Sequence, residues 1–168
     1  MMRWFTREWA TFGLSDEASD VVLREATAHH RALVQRAPRK LRPLFLQREP
    51  QIRLDDGRIE SITFTGGDTI TLGLVQGVLT TGYGLLTIAL TDATLQGLTI
   101  DELATLVEQG AEVWYFEFDE TLGPPVQFEV RFLLLRGGEF GVRFQDAQWT
   151  WRSRKGRATY RRRVVRQS

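Results

Sequence analysis

Two stretches of this chain, 54 positions apart, share one alternating pattern of apolar residues and continue into Asp-Ala. Residues 85–95 read Leu-Leu-Thr-Ile-Ala-Leu-Thr-Asp-Ala-Thr-Leu, and residues 139–149 read Glu-Phe-Gly-Val-Arg-Phe-Gln-Asp-Ala-Gln-Trp. A period of two is that of a β-strand, because successive side chains point to opposite faces. A duplicated strand unit therefore constrains the architecture closely while it leaves the chemistry open.

The repeat extends over three alternating runs in each half. Ile62 and Phe64 match Phe116 and Phe118 at the same spacing, and the next run matches at a spacing of 58 because the intervening loop is longer. The second-half residues are mainly phenylalanines, as expected if unequal side chains from two similar halves fill one core. The first-half residues expected on the buried face are Ile62, Phe64, Ile70, Leu72, Leu74, Leu86, Ile88 and Leu90.

These patterns predict an α+β fold. An N-terminal helix would pack on an antiparallel sheet or a partly closed barrel, built from two pseudo-repeated three-strand meanders that a short helix joins. We expect a single domain over residues 1–168, which is long enough to bury a core. Its parts would be an N-terminal helical segment (1–48), a first β-meander (49–98), a linking helix (99–110) that Thr99 caps, a second β-meander (111–152) and a basic C-terminal arm (153–168). The last strand of the second meander would cover residues 139–151. The arm would either form a last hairpin at residues 158–160 or fray, because consecutive arginines strain a paired strand.

The helical signals are clearest near the N-terminus. Ser15 is a typical N-cap residue, and Pro38 ends the helix that follows it. Before this helix, Trp4, Trp9 and Phe12 lie in a short amphipathic stretch. Large apolar side chains usually lie inside a protein, so we expect these aromatics to anchor the stretch in the core, and the alternative is an exposed docking peptide.

The composition excludes several classes of site. The chain has no cysteine, which excludes disulfides, a thiol nucleophile and a thiolate metal site. No apolar run approaches the roughly 18 residues that a membrane-spanning helix needs, and residues 1–8 lack the apolar segment of a secretory signal. We therefore expect a cytoplasmic protein that has no membrane partner and needs no cofactor.

The C-terminal arm concentrates positive charge. Residues 152–166 hold eight basic residues and no acidic one, and outside them fourteen basic residues face 21 acidic ones, a formal charge of −7. Arginines interleaved with aromatic rings suit single-stranded nucleic acids or other anions, although a plain solubilising end has the same composition. The candidate anion-binding residues are Arg152, Arg154, Lys155, Arg157, Arg161, Arg162 and Arg163.

The sequence offers few groups suited to catalysis. His29 and His30 are the only histidines, and adjacent helical residues point about 100° apart, so they cannot bind one metal as an i, i+4 pair would. Glu117 and Asp119 lie near the end of a predicted strand, where they could bind a ligand or act as catalytic carboxylates in a sheet cavity, or simply be solvated. No motif brings a nucleophile, a base and an orienting group together, so we expect no catalytic residue and favour a protein that is not an enzyme.

The outward positions of the first half carry no charge. A face of small uncharged side chains is either a surface for another protein or a second copy of the chain, or a surface that the N-terminal helix covers. The leading hypothesis is therefore a non-catalytic protein-interaction module. The candidate interaction face consists of Thr63, Thr69, Thr71, Thr87 and Thr91.

The segment Phe5-Thr6-Arg7-Glu8-Trp9 resembles the Phe-Thr-Lys-Glu-Trp opening of an uncharacterised bacterial family of unknown function. Members of that family carry a β-rich C-terminal region, and residues 58–62, 67–72, 112–119 and 138–146 are similar to it. The chain departs from the family in its shorter helical region, and in Leu54-Asp55 where relatives often have His-Asp. The resemblance implies a β-rich fold in a bacterial protein and brings no activity with it.

Overall fold

The computed structural model describes residues 2–48, 52–78, 82–121, 123–153 and 163–167, and it has the expected α+β architecture. The helices are α1 (Arg7–Ala10), α2 (Asp16–Arg36), α3 (Arg42–Leu46) and α4 (Ile100–Glu108). The strands are β1 (Arg58–Thr65), β2 (Thr69–Val78), β3 (Gly82–Thr91), β4 (Thr94–Gln96), β5 (Val113–Glu120), β6 (Phe128–Leu134), β7 (Glu139–Phe144), β8 (Asp146–Ser153) and β9 (Arg163–Gln167).

The two longest helices begin at the caps that the sequence predicts. The Ser15 hydroxyl accepts a hydrogen bond from the Ala18 N–H at 3.3 Å. Thr99 and Glu102 form a reciprocal capping box at the start of α4, which satisfies two backbone donors at once. Among the described residues, no helix has the length and apolar character needed to cross a bilayer.

The strands form two sheets that are not closed into a barrel, so the barrel alternative is wrong. The first sheet has the order β8-β3-β2-β1-β9, and the second has the order β4-β7-β6-β5. All neighbours are antiparallel except β9, which runs parallel to β1. The pairing of residues 163–167 with β1 contradicts the fraying alternative for that segment. A predicted hairpin arm at residues 158–160 lies outside the described residues.

Each predicted meander continues into a fourth strand that joins the sheet of the other half. The single strand expected over residues 139–151 is wrong: it ends at Phe144, and β8 then pairs with β3, where Trp149 lies opposite Ile88. In the first half, β4 likewise leaves β3 and pairs with β7, where Leu95 lies opposite Val142. The break after β3 coincides with Asp92, whose φ of 50° is left-handed and incompatible with a continuous strand.

One core fills the space between the two sheets. Ile88 and Val142 are buried from opposite sides, at 2% and 0% exposure. Phe64 and Phe116 were expected there too and are only half-buried. Phe116 is displaced from the core because the two halves differ in strand register. In the first half Ile62 of β1 lies opposite Leu72 of β2. In the second half the residue opposite Val130, which matches Leu72, is Phe118 and not Phe116. Phe118 therefore takes the core position predicted for Phe116.

The N-terminal segment, residues 2–14, lies on the outer face of the second sheet. Trp4 is 7% exposed, and Trp9 packs against a cluster that includes Leu133 of β6. Phe12 contradicts the anchoring prediction, because its side chain is 94% exposed. Helix α2 packs against β5 of the second sheet, so the alternative that it covers the threonine face of the first sheet is also wrong.

Candidate functional site

A buried ion network links β5 and β6 on the outer face of the second sheet. The Arg131 guanidinium donates to Glu117 at 3.1 Å, to Asp119 at 3.1 Å and to Glu129 at 3.0 Å. The side chain of Arg131 is 14% exposed, and its three partners are between 3% and 12% exposed. Burial lowers the pKa of Arg131, but the hydrogen bonds to Glu129 and Glu117 outweigh it, so the net pKa is raised and the group stays charged.

Glu117 also fixes the N-terminal segment. Its carboxylate accepts the backbone N–H of Arg3 and, at 3.0 Å, that of Trp4. Farther along, the Arg7 guanidinium donates to the Leu134 carbonyl at 2.6 Å. The carboxylate that the sequence offers for acid–base chemistry thus has both oxygens engaged in holding the chain to the sheet.

Helix α2 brings His29 to this network and places His30 next to it in the chain. The His29 Nε2 lies 3.0 Å from Asp119 Oδ1, but without hydrogen-bond alignment, and the ring packs 4.5 Å from Trp4. Burial, followed by the nearby His29, lowers the pKa of His30, while a hydrogen bond to the Phe45 backbone partly opposes this. Among the described residues, no group of three His, Cys, Asp or Glu side chains could hold a metal.

A cavity of about 290 Å³ opens between the N-terminal segment, α2 and β5. Glu117 lines it, as the hypothesis of a carboxylate cavity requires, but its charge is already paired with Arg131. Most of the remaining lining is apolar and aromatic. The sequence could not predict this cavity because its walls come from segments far apart in the chain. Its lining includes Trp4, Phe5, Thr27, His29, His30 and Phe116.

The five threonines of the candidate interaction face lie on the outer surface of the first sheet. Thr63 lies opposite Thr71 across β1 and β2, and Thr69 lies opposite Thr91 across β2 and β3. All five, including Thr87, are half-buried. The sequence therefore predicted their shared face, and their binding role stays a prediction.

The candidate anion-binding residues are only partly within the described chain. Arg152 is exposed near the end of β8, and Arg163 begins β9. The structure does not bear on the anion-binding hypothesis, which also stays a prediction. Arg154, Lys155, Arg157, Arg161 and Arg162 lie outside the described residues.

The sequence pattern did not predict the backbone conformation of Phe12. This residue follows α1 with a φ of 57°, in the left-handed region. The Phe12 N–H donates to the Trp9 carbonyl, and the Gly13 N–H donates to the Glu8 carbonyl. These two bonds form a Schellman motif, in which phenylalanine occupies the left-handed position that glycine usually takes. The available signal was the order Phe12-Gly13, with glycine one residue too late to take that conformation.

No protein-family model, curated protein or solved structure matches the chain.

Proposed function

We propose that this protein is a non-catalytic interaction module that binds another protein through its N-terminal segment, with Phe12 as the anchor. The supporting observation is the combination of 94% exposure with a left-handed backbone at a bulky residue. That conformation costs a residue with a Cβ about 1–2 kcal/mol, which glycine avoids. The fold gains no burial from the ring, so strain at this position favours a role in binding.

The surroundings of Phe12 indicate the chemistry of the partner. Glu8 precedes it in α1, and Asp16 and Glu17 occupy the exposed first turn of α2. Arg7, the nearest cation in the sequence, is engaged with the Leu134 carbonyl. The fitting partner presents an apolar pocket with a basic rim, and complementary charges would speed its association.

The variant Phe12→Gly separates binding from folding. It removes the anchor and places glycine at its favoured position, so we expect unfolding free energy to rise by about 0.5–1 kcal/mol while partner capture is lost. Leu23→Ala is the matched control, because Leu23 is an apolar residue of α2 that is 49% exposed. The measurement is saturable, salt-sensitive capture of a bacterial lysate protein. Capture that survives Phe12→Gly would overturn the proposal.

The cavity beside Trp4 supports a second candidate function, the binding of a small apolar ligand. Its volume of about 290 Å³ is at the lower end of ligand pockets. Replacing Thr27, which is exposed and lines the cavity, by tryptophan should fill it. Binding of an apolar fluorescent dye should be lost in Thr27→Trp and kept in Thr105→Trp, a control on α4. Equal dye binding by both variants would remove this candidate.

We also propose that the two halves are copies of one strand unit. Support comes from the strand register. Trp149 lies 54 positions after Leu95, and Ile88 lies 54 positions before Val142. Leu95 pairs with Val142, and the two matching residues, Trp149 and Ile88, also pair with each other. Arg58 and Glu112, which form an isolated β-bridge, are themselves 54 positions apart, so each is the match of the other in the opposite half. Such reciprocity is expected of two equivalent units related by an approximate twofold axis.

A further inference from the structure

Gln76 is a buried amide with no partner of its own among the described residues. It lies near the end of β2 on the same face as the core residues Leu72 and Leu74. The residue is 4% exposed, and neither its Oε1 nor its Nε2 makes a hydrogen bond within the described chain. Buried polar groups in folded proteins are nearly always bonded, so this amide requires an explanation.

The Gln76 side chain lines a cavity of about 100 Å³ under the turn that precedes β1. Asp55, Asp56, Arg53 and Gly77 complete the lining. Arg53 donates from Nε to the Asp55 carboxylate at 3.1 Å, so part of the negative charge there is already balanced. Asp56 is exposed, and its φ of 56° places it at the tip of the turn. The cavity therefore offers one surplus carboxylate together with an amide donor and acceptor.

A larger aromatic groove adjoins this cavity. It encloses about 570 Å³, and it shares Arg53, Asp55 and Asp56 with the smaller cavity. Trp114 and Tyr115 of β5 line its other side. Aromatic faces next to carboxylates attract planar cations with an apolar stem.

We propose that the cavity lined by Gln76 and Asp56 binds the guanidinium group of an arginine side chain presented by a peptide. The guanidinium donates to the Asp56 carboxylate and to Gln76 Oε1. The aliphatic stem lies along the aromatic groove. Anions are disfavoured by the surplus carboxylate, and an apolar group would leave the buried amide unbonded. Phe12 has no part in this site, so the proposal stands apart from the proposed function.

The probe is N-acetyl-L-arginine N-methylamide, and the matched control is the citrulline analogue, which has nearly the same shape without the charge. We expect NMR titration of the full chain to show saturable shifts at Gln76 and Trp114 with the arginine compound. The citrulline compound should bind at least about tenfold more weakly, since a charged hydrogen-bonded pair is lost. Equal affinity for both compounds, or no binding of either with only water in the cavity, would overturn the proposal.

Two variants test the assigned groups. Asp56→Asn should weaken arginine binding about tenfold, whereas Asp92→Asn, at another exposed aspartate with positive φ, should not change it. Gln76→Leu should abolish binding without lowering the thermal midpoint, because it removes an unbonded buried amide. Phe12→Gly should bind the probe normally. Binding that survives both Asp56→Asn and Gln76→Leu in folded protein would contradict this site while leaving the role of Phe12 intact.

Discussion

The Arg131 guanidinium lies 3.1 Å from the Glu117 carboxylate, which in turn accepts the backbone N–H of Trp4. A strand of the second sheet is thereby connected through two buried charges to a segment more than a hundred residues away in sequence. Glu117 and Asp119, which the sequence offers as candidate catalytic carboxylates, are both paired with Arg131 in the structure.

Arg131→Met should destabilise the protein strongly. Removing the guanidinium leaves Glu117, Asp119 and Glu129 buried without their shared partner, for which the expected loss is about 3–5 kcal/mol of unfolding free energy. Urea denaturation measures it. Arg143→Met is the control, because that side chain is 44% exposed and lies 3.6 Å from Glu129, so its loss should stay below about 1 kcal/mol. Similar losses in the two variants would contradict the central position of Arg131.

Glu117→Gln should release the N-terminal segment from the sheet. One amide oxygen cannot replace a carboxylate that binds Arg131 and two backbone donors, so we expect a loss of about 1–3 kcal/mol. Hydrogen exchange at Arg3 and Trp4 should accelerate. Glu120→Gln is the control from the same strand, since Glu120 pairs with the half-exposed Arg36. Unchanged exchange in Glu117→Gln would show that other contacts hold the segment.

Stability should fall as the pH drops below the ordinary histidine range, and His30 should contribute. Because burial lowers its folded-state pKa below 6.5, the unfolded chain binds the proton first as the pH falls. The contribution is therefore complete above about pH 6.5 and is lost from that point toward the lower folded-state pKa. Urea unfolding between pH 5 and 8 should show a shallower pH dependence in His30→Gln. An identical slope in both proteins would rule out the assigned contribution.

Gly84→Ala should disrupt the pairing of β3 with β8. An added Cβ would lie 2.0 Å from Cζ2 of Trp151, so the indole must move, and we expect a loss of about 1–3 kcal/mol. Gly77→Ala is the control in β2, where the nearest atom is 3.4 Å away on the exposed Tyr83 ring. Thermal unfolding compares them. Adding Trp151→Ala should make the two losses less than additive, and full additivity would mean that the ring does not lie over Gly84.

The exchange of strands can be tested by cross-linking, because the chain has no native cysteine. Thr94 lies opposite Arg143 between β4 and β7, and Ala89 lies opposite Gln148 between β3 and β8. Cysteines at either pair should form a disulfide on oxidation, since directly opposite residues meet the distance that the bond requires. The control pair of cysteines at positions 96 and 143 is displaced by two residues and should react more slowly. Equal rates would contradict the register.

The sequence predicts the elements well because their signals are local. Ser15 and Thr99 cap helices through residues three positions away, and alternation marks each strand directly. The same alternation cannot reveal that β4 and β8 change sheets. Leu95 and Trp149 continue the apolar pattern of the preceding strand, and their actual neighbours, Val142 and Ile88, are set by long-range pairing.

The sites were less accessible to sequence reasoning. Glu117 and Asp119 stand out as neighbours in one strand, but their partner Arg131 is fixed by the register of β5 on β6, which differs by two residues from that of β1 on β2. Phe12 fits an apolar anchor by composition. Its exposure follows from one left-handed backbone angle, which residue type alone does not predict.

Because β4 and β8 each pair in the sheet of the other half, neither half of the chain contains all the strands of its own sheet. A chain severed within α4 would give a first fragment that lacks both edge strands of its sheet, β8 and β9, and a second fragment that lacks the edge strand β4. Such fragments should remain unfolded alone and reassemble when mixed, as mutually dependent parts of a single cooperative unit.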